Sequence, residues 1–277
     1  MFYLENDSLK IGVNEWGAEL KTVYHKQHSL EYMWNADPAF WAKTSPVLFP
    51  IVGALKDDTY WYEGKSYTLP RHGFARENVF TPVDQRTDQL CLSLASNADT
   101  LKNYPFPFRL SLTYTLRNDE LTVTYKVENT GTKQMLFSVG AHPAFKVPLV
   151  AGTSYEDYTL QFEKEETTGR WPISKDGLIA KPVQPLLQNT NVLPLKKELF
   201  DTDAVVLKHL QSQVVTLASG KTPHGLHFTF EGFPFLGLWA APGADFLCIE
   251  PWCGIADWVD TDQQLEHKEG IRHLPAG

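Results

Sequence analysis

Apolar and polar residues alternate with period two along most of this chain. In segment 109–116, Leu110, Leu112, Tyr114 and Leu116 fall on one side and Ser111, Thr113 and Thr115 on the other, as successive side chains of a strand do. After Asn118-Asp119-Glu120 the alternation resumes with Leu121, Val123, Tyr125 and Val127. Two such runs joined by an Asn/Asp turn read as a β-hairpin. Similar patterns predict strands around 10–14, 18–25, 58–62, 66–69, 79–83, 90–95, 134–139, 155–162, 204–209, 213–218, 224–230, 235–240 and 245–250. β-Branched residues are common and aromatics make up 13% of the chain. The expected fold is all-β, a large antiparallel β-sandwich or barrel.

Helix signals are few. Pro38–Ala42, with Asp37 as N-cap, and the tail segment Asp262–Lys268 are the best short candidates. Parallel βαβ units need crossover helices of about a dozen residues, and no segment has that pattern. The Pro-punctuated stretch from about 168 to 203 reads as a long excursion packed against the sandwich, not as a linker. One domain over residues 1–277 is therefore expected.

Composition narrows the partners. The formal net charge is −8 with no Lys/Arg cluster, which argues against nucleic acid, since phosphates must be neutralised. No apolar run approaches the roughly 20 residues of a membrane span. The segment Met1–Lys10 lacks the basic start and apolar core of a secretory signal. Cys91, Cys248 and Cys253 are too few and too irregular for a disulfide framework. Three free thiols fit a reducing cytoplasm.

Glu250 is the most unusual acid. It follows the apolar run Phe246-Leu247-Cys248-Ile249 and precedes Pro251-Trp252, so it is expected at the end of a buried strand. Burial there either pairs a carboxylate or raises its pKa, leaving a structural acid or a general base. His72 and His142 lie in Gly/Pro-punctuated turns beside apolar residues. Either imidazole could face a cleft and titrate near neutrality, or sit in a solvated turn or on backbone carbonyls. Arg76 could present a planar fork to a substrate oxygen. Arg71, one residue before His72, is expected to face away. A metal held by His72, His142 and Glu250 is a weaker reading, because no close-spaced His pair supports it. His224 and His227, three apart on a strand, fall on opposite faces. Serine-nucleophile elbows and phosphate loops are absent from the sequence. Eight tryptophans, several beside polar or Pro/Gly residues, offer flat faces for a sugar.

Six segments in order then carry a resemblance: NEWGAEL, SPVLFPIVG, HGFAR, GAHPAF, LFDTDAVVLK and CIEPWCGIAD. Together they resemble the aldose 1-epimerase (galactose mutarotase) family, in its bacterial branch of mutarotase-related, LacX-like proteins. The resemblance implies a large antiparallel supersandwich. It implies Glu250 as general base, His142 as general acid, and His72, Arg76 and Asp203 as sugar-binding residues. One departure is Ala54, where related sequences commonly have an arginine; Lys56 nearby is a flexible point charge and not a fork.

The implied reaction interconverts the α and β anomers of a free hexose such as galactose or glucose. No cofactor or metal is required, and acid and base are expected on opposite sides of the sugar ring. A hexose-6-phosphate 1-epimerase, with phosphate on Arg71, Arg76 or Lys56, is the alternative enzyme. A non-catalytic carbohydrate-binding protein is the alternative class. A glycosidase would need a second comparable carboxylate. A monosaccharide or sugar phosphate is thus the expected partner of a monomer or weak homodimer.

Overall fold

The computed structural model describes residues 1–277. Its strands are the elements the alternation demands. The hairpin Phe108–Arg117/Glu120–Asn129 pairs Leu112 with Tyr125 and Tyr114 with Val123, so both apolar faces coincide. The second strand lies at a sheet edge, so its apolar side chains are only half covered.

Three four-stranded antiparallel sheets accompany a six-stranded one. They are formed from residues 2–31, 81–129 and 158–229. The larger sheet runs in the order Val205–Lys208, Phe235–Trp239, Phe246–Cys253, Val139–Ala141 and Val47–Leu48, with Ala144–Lys146 also beside Phe246–Cys253. A core of 57 buried residues extends from Leu4 to Leu265. A smaller core of 8, including Leu48, Ile179, Val206 and Trp252, packs near the large sheet's mouth. No helix is long and apolar enough to cross a membrane.

Three local expectations are corrected. Residues 38–42 form turns, and within 262–268 only Leu265–His267 is helical, as a single 3-10 turn. The one α-helical turn is Thr100–Asn103. The excursion contains an 11-residue strand, Gln184–Pro194, paired irregularly with Tyr158–Arg170. It is an edge strand, where proline costs no ladder bond, so Pro185 and Pro194 hid it from pattern reading. Its Leu187 and Leu193 pack into the main core.

The strand carrying Glu250 does not end there. It runs on through Pro251 and Trp252 to Cys253, and all eight residues are buried. Strands flank both its edges, so a continuous apolar run replaces alternation. Phe246, Cys248, Glu250 and Trp252 share one face. The Trp252 indole lies across Gly140 and Gly237, and a Cβ on Gly237 would overlap the ring. Side chains at these two positions would lift Trp252 away from the sheet.

A buried ion pair anchors the neighbouring loop. Lys268 Nζ donates to Asp257 Oδ1 at 2.9 Å, with both side chains almost fully enclosed. Asp257 Oδ2 accepts from the Lys56 N–H at 3.1 Å, and the Asp257 N–H donates to the Ala54 carbonyl at 2.9 Å. Removing one partner leaves a buried charge, which costs about 3–5 kcal/mol. Lys268→Met is therefore expected to lower the melting temperature sharply. Lys268→Met combined with Asp257→Asn, which removes the charge but retains an acceptor for Lys56, should recover most of it. Equal losses in the single and double variants, measured by denaturant unfolding, would contradict this role.

Candidate active site

A cleft of about 290 Å³ opens over the face of the large sheet that carries Glu250, and His72, Arg76, His142, Asp203 and Glu250 all line it. These residues come from four separated segments, His72 and Arg76 sharing one, brought together by strand pairing. Glu250 sits opposite Gly237 in the adjacent strand. His142 follows the short strand Val139–Ala141, which pairs with the far end of the Glu250 strand. The Ile249 N–H donates to the Pro143 carbonyl at 3.2 Å, holding the His142 turn alongside Glu250.

His142 Nε2 lies 3.2 Å from Glu250 Oε2. The sequence placed acid and base on opposite sides of a ring; the structure sets them side by side. Glu250 is 1% exposed. Burial raises its pKa well above the usual carboxylate range, and Asp203 adds to this, while Arg71 and the Trp252 indole act in the opposite direction. Burial pushes His142 down to about 3, with Arg76 and Arg71 adding to the effect and its own backbone opposing it. Each group thus favours its neutral form, and in contact they titrate as a pair. Glu250 Oε2, His142 Nδ1 and Trp252 Nε1 have no hydrogen-bonding partner in the protein.

Aromatic rings fix the His142 plane. Trp41 stacks on it at 5.0 Å between centroids, and Trp239 meets it edge-on at 5.6 Å. Both tryptophans also line the cleft, where exposed indole surface is suited to sugar C–H groups.

His72 sits at φ +69°, in a turn where Gly73 also has φ +69°. A Cβ on Gly73 would run into the Phe49 carbonyl, so this tight turn requires glycine. The His72 N–H donates to the Gly53 carbonyl at 2.9 Å, and Nδ1 accepts from the Gly53 N–H at 3.1 Å. Burial, followed by His142 and the cations Arg71, Arg76 and Lys268, holds its pKa well below the ordinary value. A neutral ring whose Nδ1 accepts must carry its proton on Nε2. His72 is therefore a fixed donor.

Arg71 is the residue that sequence reasoning misplaced. It lines the cleft, and its Nη2 lies 3.3 Å from Asp203 Oδ2. Alternation gives no guide to direction in a turn with two successive positive φ angles, so adjacent side chains can share a side. Arg71 and Ala54 both close on Gly177, which sets a guanidinium beside Ala54. Arg76 Nη2 donates to the Arg71 carbonyl at 2.7 Å, bracing the same turn. Lys56 does not line the cleft; its Nζ donates to the Val259 carbonyl at 3.0 Å.

Asp203 accepts the Ala204 N–H on Oδ1 at 2.7 Å, so its carboxylate is held by backbone and by Arg71. Besides Asp203, the 168–203 excursion supplies a wall that pattern reading did not anticipate: Ile173, Gly177 and Ile179 line the cleft. Ile173 bridges Ile179, and Ile179 bridges Trp258. His224 and His227 do not line the cleft, and each has its own neighbours. His227 Nδ1 meets Thr216 Oγ1, while His224 packs against His28.

Comparison with known proteins agrees with this architecture. Residues 1–260 match the family described as aldose 1-epimerase. The plasmid-encoded protein LacX of Lactococcus lactis subsp. lactis is 36% identical, over 97% of this chain and 92% of that protein. A galactose mutarotase related enzyme from Lactobacillus acidophilus superposes with TM-score 0.94 at 35% identity, covering 100% of this chain and 93% of the other. A galactose mutarotase-like protein from Lactobacillus casei ATCC 334 gives TM-score 0.94 at 34% identity, covering 100% and 96%. By sequence over nearly its full length and by fold, this chain belongs to the aldose 1-epimerase family.

Proposed function

We propose that this protein catalyses anomer exchange of a free hexose, with Glu250 as general base and His142 as general acid. The observation that carries the reading is their 3.2 Å contact on the floor of a cleft. In an aldopyranose the C1 hydroxyl and the ring oxygen are both bonded to C1, so the two proton-transfer sites are neighbours. An acid and base side by side match that spacing.

Glu250 takes the C1 hydroxyl proton as His142 protonates the ring oxygen, and the C1–ring oxygen bond breaks. The open-chain carbonyl turns about C1–C2, and the reverse transfers close the ring on its other face. Glu250 carboxylate with protonated His142 holds the same single proton as the neutral pair that burial favours. The starting state thus differs from the neutral pair only in which of the two side chains holds that proton. His72, a donor at Nε2, is suited to a sugar oxygen, and Asp203 and Arg71 to hydroxyls at the mouth.

One observation favours a phosphorylated hexose: Arg71 and Arg76 both line the cleft. One nitrogen of each is already engaged, however. Arg71 is paired with Asp203, and Arg76 holds the Arg71 carbonyl. A phosphate would have to sit beside the Asp203 carboxylate inside a protein of net charge −8. The neutral sugar remains the preferred substrate, acted on in the cytoplasm.

Glu250→Gln and His142→Asn should each keep the fold and lower anomer exchange by about 10²–10⁴-fold, the usual contribution of a general acid or base. Saturation-transfer NMR on glucose and galactose measures this; near-wild-type exchange in either variant removes that residue from the mechanism. Arg71→Ala should raise KM for the neutral sugar several-fold with a smaller change in kcat. If wild-type kcat/KM for the 6-phosphate exceeds that for the free sugar by more than tenfold, and Arg71→Ala abolishes the preference, the phosphorylated substrate is the correct one.

A further inference from the structure

A thiol stands beside the acid–base pair, and the proposed proton transfers do not use it. Cys248 precedes Glu250 by two residues on the same strand face. It pairs with Ala144 on one side and Trp239 on the other. One donor atom each from His142, Cys248 and Glu250 all lie within 4.8 Å of one another, and all three residues are buried. A further fact points to a ligand. Glu250 Oε2 is enclosed, in a side chain 1% exposed, and lacks a hydrogen-bonding partner.

Sulfur, imidazole nitrogen and carboxylate oxygen form a borderline-soft donor set. Hard cations such as magnesium and calcium prefer all-oxygen shells, whereas zinc accepts all three donors. Zinc bonds of about 2.0–2.3 Å in a tetrahedron set neighbouring donors about 3.5 Å apart. Side-chain movements of about 1 Å would close the trio to that spacing. The fourth position would face the cleft, where water or a sugar hydroxyl could enter. Arg71 and Arg76 oppose an incoming cation, but a thiolate and a carboxylate together supply two negative charges.

We propose that His142, Cys248 and Glu250 form a site for one divalent cation of the zinc type, whose occupancy switches off the acid–base pair. The metal would take the lone pairs that receive the sugar's proton. Its inhibitory consequence rests on the proposed anomer exchange; the binding site itself does not. Cys248 is needed for the metal and not for turnover, which separates the two in a single variant.

The test uses full-length protein freed of metal by chelation and dialysis, with Co²⁺ and then Zn²⁺ as probes. Wild type should take up one Co²⁺ with a thiolate-to-cobalt charge-transfer absorption that Zn²⁺ removes, and Zn²⁺ should inhibit anomer exchange. Cys248→Ser and Cys248→Ala provide two chances of a folded variant, checked by circular dichroism. Both should lose the band, keep basal exchange and lose Zn²⁺ affinity by more than about tenfold, since even outer-shell partners contribute 10–100-fold. Imidazole-only binding at the group His25, His28 and His224, with adjacent ring centroids 4.2 and 5.0 Å apart, gives no thiolate band. Absence of the band in wild type, its persistence in both variants, or equal Zn²⁺ inhibition of wild type and variants would overturn the proposal. A Cys248-dependent band in a protein that exchanges no aldose would support the metal site while refuting the epimerase reading.

Discussion

The rest of the site depends on the enclosure of one carboxylate. Glu250 lies within an eight-residue strand that is buried along its whole length, where an unpaired charge is strongly disfavoured. No lysine or arginine pairs with it; the group in contact is His142. Two buried groups that each favour neutrality differ from an ion pair only by the position of one proton. A fixed cation beside Glu250 would stabilise the carboxylate and make it a weaker base. A solvated site would give up the low dielectric that makes nearby charges and dipoles effective.

The surrounding structure reduces the freedom of this pair. Trp41 and Trp239 define the imidazole plane, and the Gly53 N–H assigns His72 its acceptor nitrogen. The Asp257–Lys268 pair acts one layer further out, tying down residues 54–56 next to Gly53. Fixed charges therefore lie either behind the cleft, where they hold backbone, or at its mouth, where Arg71 meets Asp203. The floor is left to groups whose protons can move. Donor atoms that can gain and lose protons are also good metal ligands, which is why a thiol at Cys248 extends the chemistry available there.

Much of this was legible in the chain itself. Period-two alternation determined the all-β class, because side-chain direction in a strand repeats every two residues. The missing helical periodicity excluded a parallel, helix-covered sheet. An acid embedded in an apolar run singled out Glu250, and histidines in glycine- and proline-rich turns marked His72 and His142. The ordered motifs indicated the family. These signals are local, carried by neighbours within a few residues.

Only the tertiary structure decided which side chains meet. Strand pairing carries His142 to Glu250 across more than a hundred residues, and its register sets them side by side. The orientation of Arg71 depended on two successive positive φ angles, which alternation cannot anticipate. The edge strand Gln184–Pro194 was hidden because its prolines are tolerated only once its place at the sheet edge is known. Strand continuation past Glu250 likewise followed from partners on both sides, not from the proline in its sequence. Sequence determines the character of each group through local composition; long-range pairing determines distance, burial and proton affinity, and on those the chemistry depends.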